Sequence, residues 1–139
     1  MNWLFWSILS ALFAAATAVL AKIGVAGINS NLATAIRTSV ILVFAWLIVA
    51  VTYKAGELSS ISRKSWMFLT LSGIATGLSW LSYFRALQIG QASKVSPVDK
   101  LSVVFVIVFA ALFLGEGISA AKLIGGVLIT AGAITLALA

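Results

Sequence analysis

LATAIRTSVILVFAWLIVAVTY, residues 32–53, carries a single charge, Arg37, in an otherwise uncharged and mostly apolar run. Hydrocarbon is crossed by roughly 20 residues of α-helix, so the run is about as long as a bilayer core is thick. It lacks the alternation of apolar and polar residues that a barrel strand needs. A helix is therefore expected, because a backbone inside lipid has to satisfy its own hydrogen bonds.

The same reading extends in both directions. A first span is expected from about Trp3 to Ala21, a third from Trp66 to Ile89, a fourth from Pro97 to Leu114 and a fifth from Ser119 to Ala139. Lys22, Gly24, Gly27, Asn29, Ser30 and Asn31 mark the first connection. The loop from Lys54 to Ser65, with Glu57, Arg63 and Lys64, is the longest and most charged. Gly90 to Ser96 turns the chain before the fourth span, and Gly115-Glu116-Gly117 makes a tight turn before the fifth. The first apolar run has no basic lead-in and outlasts a signal-peptide core of roughly 7–15 residues, so a retained helix is expected there.

Composition points the same way. Of 139 residues, 63% are hydrophobic and 9% charged, whereas a soluble domain is about half apolar and a quarter charged. A chain this short keeps too much surface exposed to hide that much apolar area from water. The expected fold class is all-α: a polytopic membrane protein of five transmembrane helices, forming one repeat over residues 1–139. The net charge of +6 comes from nine Lys and Arg placed near span ends. They are not gathered on one phosphate-binding face, and no nucleic-acid partner is expected. The sequence has no Cys and no His. Disulfides, thiolate chemistry and the commonest metal ligand and general base are absent with them. Only three acids remain and no phosphate-cradling loop is present, so neither an enzyme, nor a metal site, nor a cofactor is expected.

Five is an odd number, so the two ends of one copy fall on opposite sides of the membrane. Two copies inserted upside-down to each other would make a ten-helix body with an inverted repeat, a recurrent plan for small-molecule transporters. Lys54, Arg63, Lys64 and Lys122 lie on the N-terminal side; Lys22, Arg37, Arg85, Lys94 and Lys100 lie on the other. Four against five leaves almost no excess for the positive-inside rule to act on. One outcome is dual insertion and an antiparallel homodimer; another is a single orientation set by the dense Lys54–Lys64 loop. A paralogous partner chain of opposite bias is the other way to complete an inverted pair.

Several residues invite a functional reading. Gly73 and Gly77 are four apart in the third span, a spacing that lets helix backbones approach, either as a seam between copies or as packing within one. Arg37 and Arg85 lie about one turn inside their spans. Each either snorkels its head group to the interface or faces the interior, where it would hold an anionic group of a substrate. Ser96-Pro97-Val98-Asp99 reads as a helix start, with Ser96 as N-cap, Pro97 in the first turn and Asp99 as reciprocal acceptor. Asp99 has a second reading, as an ion-coupling carboxylate beside Lys100, Lys94 or Arg85. Glu116 lies in the turn before the fifth helix, where Lys122 would neutralise it. Trp3, Trp6, Tyr53 and Trp66 suit an interfacial belt. Trp80, with Tyr83 and Phe84 on the same helix surface, either lines a cavity for an organic cation or flat solute or packs against lipid. No carboxylate stands in the first span, so a proton exchanger built on one there is not supported.

The run KVSPVDKLSVV (residues 94–104), then LFLGE (residues 112–116) and GGVLITAG (residues 125–132), resembles the EamA-like branch of the drug/metabolite transporter superfamily; LSWLSYFRALQIG (residues 78–90) looks like the third span of the same repeat. The likeness covers essentially the whole chain as one repeat, where typical members carry two such repeats, giving ten spans in inverted halves with a central cavity. It implies a dimer and movement of small organic solutes or metabolites by alternating access, in the cytoplasmic membrane of a bacterium or archaeon. The candidate solute-binding residues are Trp80, Tyr83, Arg85, Arg37 and Asp99. The rival expectation is a non-transporting half of a heteromeric transporter or lipid-carrier flippase.

Overall fold

The structure, a computed structural model, describes residues 2–52 and 60–139. The charged loop residues Lys54 and Glu57 and the belt residue Tyr53 lie outside them. Its elements are all helices: α1 (Trp3–Gly24), α2 (Ser30–Thr52), α3 (Arg63–Ile89), α4 (Ala92–Asp99), α5 (Ser102–Phe113) and α6 (Ala120–Leu138). With α4 and α5 taken as one run, Ala92–Phe113, five helical spans among the described residues are long and apolar enough to cross a membrane.

Polar side chains inside the spans are reconciled with lipid locally. Ser7, Thr34, Thr38, Ser39, Thr70, Thr76, Ser82, Thr130 and Thr135 each donate a hydroxyl proton to the carbonyl four residues earlier, at 2.8–3.1 Å. Each bond removes a donor that hydrocarbon could not satisfy.

The helix ends follow the turn chemistry. Gly27 has φ +77° and ends the first helix in a left-handed step that a side chain would strain. Asn29 then caps α2, its Oδ1 accepting from the N–H groups of Asn31 (2.8 Å) and Leu32 (3.4 Å). This cap starts the helix at Ser30, ahead of the expected Leu32. In the same way Ser62 Oγ accepts from Ser65 N–H at 3.0 Å, and α3 begins at Arg63 rather than Trp66. Ser119 caps α6 by accepting from Lys122 N–H at 3.3 Å.

The fourth span departs most from expectation. Its N-cap is Gln91, with φ −75° and ψ 139°, and Ser96 and Pro97 lie inside α4. The N–H groups of Lys94 and Val95 bond to Gln91 O at 3.0 and 2.9 Å, so the chain re-enters a helix directly after Gly90. Ser96 is therefore not a helix cap, and Asp99 is not its reciprocal acceptor. Asp99 is instead the last residue of α4, at the end where the helix dipole disfavours a carboxylate. Pro97, past the first turn, has no N–H for the Ser93 carbonyl, and its ring crowds that oxygen. The helix stops two residues later. Across the break the bonds tighten from i→i+4 to i→i+3: Leu101 N–H to Val98 O, Val103 N–H to Lys100 O, and Val104 N–H to Leu101 O, at 2.9–3.0 Å. Pro97 breaks the span it was expected to begin.

The chain divides into two compact units, residues 1–22 with 89–139, and residues 23–88. In the first, α6 packs against α4 and α5. Lys22 Nζ donates to Gly90 O at 2.7 Å. Gly115, with φ +68°, turns the chain after α5, while the N–H groups of Leu114 and Glu116 both reach Ala110 O, at 3.0 and 3.2 Å. An apolar groove of about 380 Å³ runs between α5 and α6.

Helices in lipid gain by close approach rather than by escape from water, and Gly126 of α6 shows where this happens. A Cβ there would stand 3.8 Å from Ile107 Cδ1 and 4.0 Å from Val104 Cγ2. That is ordinary contact for one methyl group and a clash for anything longer. Gly126→Ala is expected to leave thermal unfolding in detergent unchanged or slightly raised, whereas Gly126→Leu should lower stability by about 1–3 kcal/mol through overpacking.

Candidate functional site

The unit of residues 23–88 holds α2 and α3. Arg37 is seven residues into α2, or about 10 Å along the axis at the usual rise. Its guanidinium carbon lies 4.2 Å from the ring centroid of Trp80 and 5.5 Å from that of Phe84. Trp80 and Phe84 are four apart on α3, so both rings point from one face. Phe84 is buried; Arg37, Trp80 and Tyr83 are half-buried. Tyr83 lies within electrostatic reach of the same guanidinium. The Arg37 head is thus held against aromatic faces of α3. A stacked guanidinium of this kind gains about 0.5–2 kcal/mol from each well-placed ring as water is excluded.

The adjoining flank of α2 is polar. A groove of about 400 Å³ between α2 and α3 is lined by Asn31, Thr34, Thr38 and Ser39 together with Ala35 and Leu42 on one side, and by Gly77 and Leu81 on the other. Thr34 is buried. Because the Thr34 and Thr38 protons go to backbone carbonyls at 2.9 and 2.8 Å, their oxygens are left as acceptors.

The other candidates fall elsewhere. Arg85 is exposed, and its Nη1 donates to Gln88 Oε1 at 2.6 Å. Gln88 Nε2 in turn donates to Ile28 O at 2.8 Å, tying the end of α3 to the connection before α2. Arg85 therefore serves a helix end and is not stacked with Trp80. Asp99 lies 3.6 Å from Lys100 Nζ; Glu116 Oε2 lies 3.2 Å from Lys122 Nζ, which also donates to Gly117 O at 3.0 Å. The Glu116–Lys122 pair holds the turn before α6. A Cβ at Gly73 or Gly77 would meet nothing within 4 Å. Among the described residues neither glycine is in close contact with another helix, and Gly77 lines the groove.

Of the groove residues, Thr34, Thr38 and Ser39 were not singled out by their types alone, and Asn31 was read only as part of the first connection. Asn31, Thr34 and Thr38 recur every three or four residues along α2. That polar stripe in a span is the sequence signal that marks them.

The geometry predicts coupling between Arg37 and Trp80. In a double-mutant cycle of Arg37→Gln and Trp80→Ala, read by unfolding in detergent, the two losses should fall short of additivity by about 0.5–2 kcal/mol. Strict additivity would place the guanidinium off the ring.

Residues 1–138 match the family described as the EamA-like transporter family. A protein of Sinorhizobium sp, named as the uncharacterized transporter in the cobO 3′ region, is 54% identical over 136 residues, which are 98% of this chain and 96% of that protein. No solved structure matches the chain.

Proposed function

The chain belongs to the EamA-like transporter family and is a multi-pass membrane transporter, and on that premise we propose that it moves small organic molecules by alternating access as an antiparallel homodimer. Two inverted copies would supply ten spans from a repeat of five, and opposed insertion is favoured by the near-equal division of Lys and Arg between the two sides. The likeness of this chain to a relative of nearly the same length supports a single-repeat unit. Family and relative alike point to transport rather than catalysis.

The observation that carries a solute path is Arg37 within α2. An ionisable group at that depth is costly in lipid unless it faces protein or a polar cavity, and here it lies against Trp80 and Phe84 on the flank of a hydroxyl-lined groove. Arg37, Trp80 and Tyr83 are the solute-binding residues of this proposal. Arg85 stands at the end of α3, and Asp99, beside the Pro97 break, is the acid available for ion coupling. The open face at Gly73 and Gly77 suits helix contact between copies.

The proposal is tested by tagging each terminus and labelling intact cells and inverted vesicles. Opposed insertion predicts that each tag is reached from both sides in comparable amounts, and that cross-linking yields dimers. Each tag on one side alone would transfer the inverted half to a separate, paralogous partner chain.

A further inference from the structure

Resting on the reading of the α2–α3 region as the solute site, we propose that the substrate is a small organic monocarboxylate carrying a hydroxyl donor near its carboxylate, paired with Arg37. The sign of the charge follows from what surrounds Arg37. Its guanidinium does not deprotonate at any working pH. Residues 1–56 contain no acid at all, and Glu57 is the single acid of residues 23–88, in the connection that follows α2. Asp99 and Glu116 stand beside Lys100 and Lys122. Among the described residues Arg37 forms no ion pair, and its charge is met by ring faces.

Those same rings decide against a cation. A quaternary ammonium is recognised by aromatic faces, but the faces of Trp80 and Phe84 are occupied by the chain's own guanidinium at 4.2 and 5.5 Å. A second positive charge would have to share them with the first. The rings meet the charge without accepting a conventional hydrogen bond, and a guanidinium fork is the donor that a carboxylate accepts with two parallel bonds. One fixed positive charge neutralises one negative charge. A phosphate dianion would leave a net charge inside the span, so a carboxylate fits better.

The donor requirement comes from the groove. Thr34 lies three residues before Arg37 on α2 and lines the groove with Thr38. Both hydroxyl protons are committed to backbone carbonyls, so the oxygens receive hydrogen bonds from a solute. At about 400 Å³ the groove is at the small end of ligand sites.

The test compares lactate and mandelate with lactamide and mandelamide, with tetramethylammonium, and with inorganic phosphate, by thermal stabilisation of the purified full chain in detergent. Both carboxylates are expected to stabilise, and the amides, the cation and phosphate are not. Arg37→Gln should weaken the carboxylates by about tenfold or more, as for loss of a charge-assisted pair, and Arg37→Lys should restore part of this. Equal stabilisation by the amides, stabilisation by tetramethylammonium, or failure of both carboxylates to bind overturns the proposal, and none of these readings depends on a variant folding. Exchange of labelled lactate and mandelate across proteoliposomes separates this proposal from the transport reading. Arg37-dependent binding without exchange keeps the anion site and removes it from transport. Exchange of tetramethylammonium that survives Arg37→Gln keeps transport and removes the anion site.

Discussion

A cation held away from water needs something to face, and in this protein Arg37 faces rings. The Trp80 and Phe84 side chains supply negative electrostatic potential without carrying a charge, so no acid is needed on α2 or α3. Without those rings the guanidinium would be drawn towards the interface, because the cost of a charge falls steeply as it nears the head groups. With them, a permanent charge is kept one turn from Thr34 and next in sequence to Thr38, which help to line the α2–α3 groove. The solute site proposed here depends on that placement more than on any other contact.

The hydroxyl-bearing residues obey the same solvent constraint. In lipid an unsatisfied donor is expensive, and several Ser and Thr of α1, α2, α3 and α6 give their protons to carbonyls of their own helix. One consequence is chemical: the oxygens of Thr34 and Thr38 present lone pairs rather than protons to the groove. Donors come from Arg37 and acceptors from the neighbouring flank of the same helix, a division that a solute with a carboxylate and a nearby hydroxyl would match.

Much of this architecture was legible in the residues. Long, mostly apolar runs such as 32–53 admit one spanning conformation, because hydrocarbon removes every alternative partner for the backbone. The Glu116–Lys122 pairing was also readable, since a short turn leaves the two side chains little room to part. Pro97 was misread for a specific reason. Ser-Pro-x-Asp satisfies the local rules for a helix start, but Gln91, five residues before Ser96, had already nucleated α4. Local rules cannot say which of two competing starts is used. Arg85 shows a similar limit: it shares the sequence features of Arg37, and Gln88 claims it instead.

From the order of its residues alone, this chain is an all-helical, five-span membrane protein, because length and polarity in lipid leave no other regular structure. The tertiary structure decided which of two similar arginines is held on aromatic faces, that Gly77 lines a groove beside α2, and that Pro97 interrupts a span. Those outcomes turn on side chains from different helices meeting in space, or on two helix starts competing for one segment. Neither relation is written in the periodicity of a single run.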